Sequence, residues 1–299
     1  MANPFLSVVI PVFNRPEDLA RTLLSLTEQT ENNFEVIVVD DGSTADVKSV
    51  TDDYADRLNL KFIRIENSGG PARPRNIGVQ ASLSTWISLL DSDDWWYSTR
   101  IAEVCSAIKK NPECDVFYHK LKVISDNRYV RWWSKKSLGH KMTGDPFVSL
   151  MTYGNALPNS SVVIRKSCFE IFGGINESPE LVSVEDFDYW LMLAKNRRTF
   201  IFINKSLGFY WMSLTGISAN ADRTVSRNQL VLDKYLSFLD KKEQEQAKSK
   251  FFYLAGSVLY SAGKLTDALT YFYRANHLSG VELKTKRLLK IARLLAGLK

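Results

Sequence analysis

The first 125 residues alternate short apolar runs with helix-patterned segments, and this alternation constrains the fold more than any other feature of the chain. Strand-like runs fall at Ser7–Pro11, Phe34–Asp40, Lys61–Glu66, Trp86–Asp91 and Val116–Ile124. They are mostly apolar and end in turn or polar residues, the pattern of strands buried on both faces. Between them, Leu19, Leu23 and Leu26 recur at helical spacing, and Asp46–Leu58, Ala72–Ala81 and Ser98–Lys109 read as helices. Such alternation predicts an α/β domain built on a mostly parallel, Rossmann-like sheet with helices on both faces. That domain is expected over residues 1–220, followed by an all-helical region over 221–299.

Sheets of this kind bind ligands beyond the carboxyl ends of their strands. The first run leads into Pro11-Val12-Phe13-Asn14, the second into Asp40-Asp41-Gly42-Ser43 and the fourth into Asp91-Ser92-Asp93-Asp94. A glycine-rich loop with two arginines, Asn67 to Asn76, precedes the third helix. Three carboxylates within four residues can hold a hard divalent cation such as Mg²⁺ or Mn²⁺, whose shell substrate phosphates complete. The plainer reading of Asp91–Asp94 is a turn whose Asp94 or Ser98 caps the next helix. Asp41 can accept a hydrogen bond from a base or a ribose, while Ser43 or Thr44 caps the following helix; both roles are compatible. Ser183-x-x-Asp186, at the start of an apolar run through Tyr189, Trp190 and Leu193, reads by spacing alone as a helix cap.

Charge excludes one function class. The chain carries a net charge of +6, but residues 281–299 contain Lys284, Lys286, Arg287, Lys290, Arg293 and Lys299 against Glu282 alone. The rest of the chain is nearly neutral, whereas a nucleic-acid binder needs a basic stripe on its folded body. Cys105, Cys114 and Cys168 are too few and too scattered for a disulfide framework or a zinc site. Met1–Leu6 lack the pattern of a secretory signal, and no apolar run approaches the roughly 18 to 20 residues of a spanning helix. A cytoplasmic protein is expected.

The order of the motifs carries further information. From Ser7 to Trp95 the segments "SVVIPVFNRPEDLARTLLSLTEQT", "FEVIVVDDGST", "NSGGPARPRNIGVQAS" and "WISLLDSDDWW" resemble the N-terminal half of family-2 glycosyltransferases of the GT-A fold, in the family's order and spacing. "NSSVVIRKSCFEIFGGINES" and "VEDFDYWLMLA" resemble its acceptor-side half, so the likeness covers roughly residues 5–220. The resemblance implies an inverting, metal-dependent transfer of a hexosyl or N-acetylhexosaminyl group. The donor would be a UDP-sugar or another nucleoside-diphosphate sugar, and the acceptor a hydroxyl of a glycan or lipid-linked molecule, in surface polysaccharide or lipopolysaccharide synthesis. It assigns Pro11 and Phe13 to the nucleoside pocket, Asp41 to the base, Asp91 to the ribose or donor sugar, Asp93 to Mn²⁺ or Mg²⁺, and Arg75 to the neighbourhood of the donor phosphates. Asp186 becomes the base that deprotonates the acceptor, with Glu185 beside it raising the pKa of the pair.

The chain departs from the family in two places. Pro74 replaces the usual alanine before Arg75, and Ser213 stands where many relatives carry a histidine that assists metal or diphosphate binding. Two competing readings are a sugar nucleotidyltransferase, which would need a glycine-rich, arginine-bearing loop after the first strand, and a non-catalytic scaffold with a donor-like pocket. The loop Arg128–Lys141, with Trp132, Trp133, Lys135, Lys136 and His140, suits either an acceptor platform or a tryptophan-anchored loop. In the helical region, Gly256, Gly263, Ala268, Phe272 and Ala275 match one tetratricopeptide repeat, which needs neighbouring helices or a second subunit to bury its face. The last helix-patterned segment places Leu288, Ile291, Ala292 and Leu295 opposite Lys286, Lys290 and Arg293, suited either to packing on the preceding helices or to an anionic membrane surface.

Overall fold

The computed structural model describes residues 3–125, 137–212, 220–276 and 297. Ser213, Trp132, Trp133, Lys135, Lys136 and the segment from Lys286 to Leu295 lie outside the described residues. Two compact units are formed. The first takes the described residues of Met1–Lys141, Ala156–Pro179 and Glu185–Ser213; the second takes those of Met142–Asn155, Glu180–Val184 and Leu214–Lys299.

In the first unit, β1 (Leu6–Val12), β2 (Phe34–Asp40), β3 (Leu60–Arg64) and β4 (Trp86–Leu89) form a parallel set in the order β3-β2-β1-β4. β1 and β2 are buried along their whole length, as their continuous apolar runs require. On one face, Leu6, Val8, Ile10, Val36 and Val38 pack with Leu19, Leu23 and Leu26 of α1 (Pro16–Thr27) and with Ile101, Val104 and Ile108 of α4 (Arg100–Lys110). On the other face lies α3 (Ala72–Ala81), whose Gly78 comes so close to Val9 that a Cβ there would overlap the valine.

Beyond β4 the sheet becomes mixed. β8 (Val163–Arg165) pairs antiparallel with β4 and with β6 (Val116–Ile124), and β9 (Phe200–Trp211) runs parallel to β6. The short strands β5 (Trp95–Trp96) and β7 (Ser137–Leu138) pair antiparallel with β9 and β6. The parallel set is built from the first four runs of the strand–helix alternation, and the fifth, Val116–Ile124, falls in the mixed half of the curled sheet.

α1 starts at Pro16 with Glu17 and Asp18 in its first turn, a favoured arrangement because proline needs no donor there and the acids face the helix's positive end. α2 is shorter than its sequence pattern: Asp46 caps Val47–Asp52, and the chain continues as turns to Leu58. α3 begins at Ala72, so Pro74 falls in the first turn, where its missing N–H breaks no helical bond. Among the described residues, this unit also contains α6 (Lys166–Phe172) and α7 (Glu185–Lys195).

The second unit is helical among its described residues. α5 (Pro146–Tyr153) and α8 (Ala221–Leu236) both pack on α9 (Lys241–Ser261), which pairs with α10 (Leu265–Asn276). Asp240 and Glu243 form a reciprocal capping box at the start of α9. Gly263, at φ +77°, turns the chain into α10, whose Ala268, Phe272 and Ala275 are fully buried. Phe272 lies against Gly256, where a side chain would meet the ring at 2.6 Å.

Candidate active site

The strand ends on one edge of the parallel set carry the polar residues. Pro11 is buried within β1, and Phe13, just past the strand end, is 47% exposed. Asn14, in the left-handed region at φ 53°, ties the first loop to the second: its Oδ1 accepts from the N–H groups of Thr44 (2.8 Å) and Ala45 (3.0 Å), and its own N–H donates to Ser43 Oγ (2.8 Å). Asp40 is fully buried and paired with Arg64 at 3.0 Å. Asp41, also buried, accepts from the Ser68 N–H at 2.8 Å, and its carbonyl accepts from Asn67 Nδ2 at 2.8 Å. Burial pushes the Asp41 carboxyl above its ordinary range, against the pull of the Ser68 hydrogen bonds.

The Asp91–Asp94 loop is clamped by the polar side of α1. Thr22 Oγ1 lies 2.9 Å from the Ser92 carbonyl and 2.7 Å from that of Asp94, and Arg21 Nη2 donates to the Asp93 carbonyl at 3.0 Å. The three carboxylates have separate partners. Asp91 accepts from Arg75 Nη2 (2.6 Å) and Asn159 Nδ2 (2.9 Å), Asp93 from Arg15 Nη1 (2.7 Å), and Asp94 from the Trp211 N–H (2.8 Å). Burial and the neighbouring Asp91 push the Asp93 carboxyl up to about 6, with Arg15 opposing. Burial, and then the charges of Asp93 and Asp91, also push the Asp94 carboxyl well above its ordinary range.

Arg75 joins this loop to the start of α7. Its side chain is only 5% exposed; Nη2 binds Asp91 and Nη1 binds Glu185, each at 2.6 Å. Asp186, the next residue, is half-buried and accepts from the Phe187 N–H at 2.7 Å. Burial and the Glu185 charge push its carboxyl up to about 7, with Arg75 opposing. Ser183 Oγ has no hydrogen-bond partner, so the helix cap that Ser183-x-x-Asp186 suggests by spacing does not form. Tyr210 on β9 lies within the electrostatic reach of Asp94, Asp91, Asp93 and Asp186; burial first, and then those charges, raise its phenol.

Arg75, Asp91, Asp93 and Asp186 therefore form one connected group, and Asp41 and Phe13 stand at neighbouring strand ends. Arg15, Arg21 and Thr22, which clamp the acidic loop, and Asn159, which holds Asp91, were not singled out by sequence motif. The available signal is a run of polar residues at 15, 18, 21 and 22 that flanks the Leu19, Leu23 and Leu26 stripe at and just before α1, with Thr22 buried beside that stripe. Among the described residues, no group of three or more His, Cys, Asp or Glu side chains stands ready to hold a metal ion. The donor set nonetheless fits a hard cation that takes one carboxylate and completes its shell with phosphate: Asp93 offers a quarter-exposed carboxylate beside Asp91, with the single-nitrogen Arg15 pair as its side-chain partner.

Residues 7–169 match the model of Glycosyl transferase family 2. The chain belongs to that family. The glycosyltransferase is 30% identical to an uncharacterized glycosyltransferase of Haemophilus influenzae, over 82% of this chain and 80% of that one. It also matches glycosyltransferases of Rickettsia conorii and Rickettsia felis, of which it spans 16% of the length. Among solved structures, S. aureus TarS 1–349 in complex with UDP-GlcNAc is similar with a TM-score of 0.57 at 18% identity, covering 98% of this chain and 92% of that one. The mannosyltransferase PcManGT from Pyrobaculum calidifontis, in complex with GDP-Man and Mn²⁺, is similar with a TM-score of 0.64 at 16% identity, covering 100% and 82%. At these identities the structures establish the shared GT-A fold. No helix of the described part of the glycosyltransferase is long and apolar enough to cross a membrane.

Proposed function

We propose that this glycosyltransferase moves a sugar from a nucleoside-diphosphate donor to a hydroxyl of a glycan or lipid-linked acceptor, with inversion at the anomeric carbon. The observation that carries this reading is the buried Arg75 bridge, which ties Asp91, assigned to the donor, to Glu185, the neighbour of Asp186, assigned to the acceptor. Asp186 takes the acceptor proton; its raised pKa suits a base working near neutrality. The acceptor oxygen then attacks opposite the leaving diphosphate through an oxocarbenium-like transition state, and a single in-line attack inverts the centre. Asp93 would hold Mn²⁺ or Mg²⁺, which supplies positive charge for the leaving diphosphate. Phe13, with Pro11 behind it, and Asp41 would receive the nucleoside, and Asp91 the ribose or the donor sugar. Arg75, engaged with carboxylates at both terminal nitrogens, would serve the donor phosphates indirectly by holding Asp91 and Glu185 in register.

A UDP-sugar is the first donor to try, since TarS is known with UDP-GlcNAc and its curated name is poly(ribitol-phosphate) beta-N-acetylglucosaminyltransferase. A relative named for amylovoran biosynthesis supports a polysaccharide acceptor. The enzyme would act in the cytoplasm, at the inner face of the membrane where lipid-linked acceptors lie. Incubation with UDP-GlcNAc, UDP-Glc and GDP-Man in the presence of Mn²⁺ should release nucleoside diphosphate with one donor. Asp93→Ala and Asp186→Asn should each lower that turnover by about 10² to 10⁴. Absence of release with every donor, or near-normal turnover in either variant, would refute the assignment.

A further inference from the structure

Two arginines of the first helical segment reach the acidic loop in different ways. The Arg21 guanidinium lies over the neighbouring rings of Trp95 (4.4 Å) and Trp211 (5.0 Å) and donates to the Asp93 carbonyl at 3.0 Å and to Asp18 at 2.8 Å. A planar cation held by two ring faces, a carbonyl and a carboxylate is a fixed strut. Arg15, at the N-cap of α1, touches Asp93 Oδ2 with Nη1 alone at 2.7 Å, and the same nitrogen lies 3.4 Å from Asp18. The side chain is 30% exposed and that of Asp93 25%. A single-nitrogen, part-solvated ion pair is weak and exchanges readily, unlike a two-nitrogen fork. Its acceptor is the carboxylate that the rest of the site leaves free: Arg75 and Asn159 hold Asp91, and the Trp211 N–H holds Asp94.

We infer that Arg15 is a positioning residue that acts as the exchangeable counter-ion of Asp93 and thereby makes metal binding depend on the donor. The inference rests on the metal role proposed for Asp93. A divalent cation and the Arg15 guanidinium compete for one carboxylate oxygen. A cation arriving alone must displace Arg15 and leave it facing a dication at short range. A cation arriving with a nucleoside diphosphate brings enough negative charge to satisfy both, so each ligand strengthens the binding of the other. Without the arginine, Asp93 would be an open carboxylate available to free metal.

The test is Mn²⁺ binding, followed by the electron paramagnetic resonance signal of free Mn²⁺, with and without UDP. It uses the full chain and its Arg15→Gln, Arg15→Lys and Asp93→Asn variants. Arg15→Gln should bind Mn²⁺ alone roughly three- to tenfold more tightly and gain less from UDP than the parent does. Arg15→Lys, which keeps the charge, should retain weak binding and strong dependence on UDP. A merely structural arginine would not tighten metal binding when removed. The inference is overturned if Arg15→Gln leaves Mn²⁺ affinity and the effect of UDP unchanged while Asp93→Asn weakens binding, or if Arg15→Lys tightens binding as much as Arg15→Gln. If instead Asp93→Asn binds Mn²⁺ like the parent, the role of Asp93 itself fails.

Discussion

Asp186 carries the clearest pH signature in the molecule. Its carboxyl is raised to about 7 in the folded chain, above its ordinary value of 3.8, so between those values the native state holds more proton than the unfolded one. Stability therefore falls as pH rises through that window, and ionised Asp186 is a standing cost at neutral pH. Turnover should rise over the same interval as the base becomes available. Asp186→Asn should lower turnover and raise the Tm at pH 8 relative to the parent, with the gain shrinking towards pH 4; a Tm difference independent of pH would contradict the shift. Arg75 has the opposite balance. Removing it leaves Asp91 and Glu185 without their 2.6 Å partner in a buried place, and breaking such a pair from one side costs about 3 to 5 kcal/mol. Arg75→Met should lower the urea midpoint accordingly and lose activity; Arg75→Lys, unable to form two bonds in the same fork, should recover only part of either.

At the scale of elements, α3 does the positioning. Gly78 lets the helix lie directly on β1 and β2, and an added methyl would overlap Val9 and come within 3.3 Å of Val39. Gly78→Ala should destabilise by about 1 to 3 kcal/mol and reduce kcat, because the same helix carries Arg75. Circular dichroism melts and turnover measured on one preparation check both. Helical pattern reveals where α3 runs but not how deep it sits, since depth depends on the residues of β1 beneath it. α2 illustrates a related limit. The sequence pattern extends the helix to Leu58, whereas the chain gives up helical geometry after Asp52, and the turns bury Leu58 against the β1 and β2 core.

For the whole molecule, charge separates from catalysis. The acidic cluster lies in the first compact unit, while most of the net positive charge is in residues 281–299. Retention of the full chain on vesicles containing anionic lipid should fall steeply between low and physiological salt and vanish when 281–299 is deleted, with donor hydrolysis retained. A lower Tm on deletion, with no vesicle retention at any salt, would assign that segment to packing on the preceding helices instead. The helical unit also includes α5, which is distant from α8–α10 in sequence and packs on α9. Nothing in the local pattern of Pro146–Tyr153 distinguishes it from the helices of the sheet, because its apolar face is generic and its partner comes some ninety residues later.

Amino-acid order alone predicted the four parallel strands β1–β4, and the resemblance to family 2 picked out Asp41, Asp91, Asp93 and Asp186 as the candidate site residues at or near their ends. The strands follow from periodicity, a local property of the chain, whereas the roles of the aspartates rest on the family's motif order; spacing alone reads Asp186 as part of a helix cap. Tertiary structure alone decided which charge partners each carboxylate has. Arg75 meets Glu185 across 110 positions and Arg15 meets Asp93 across 78, and no local pattern encodes contacts of that separation. The antiparallel second half of the sheet belongs with them, since the direction of β8 is set by its pairing with β4 and β6 rather than by its own three residues. Burial, likewise a property of the assembled fold, turns ordinary aspartates into groups that titrate near neutrality.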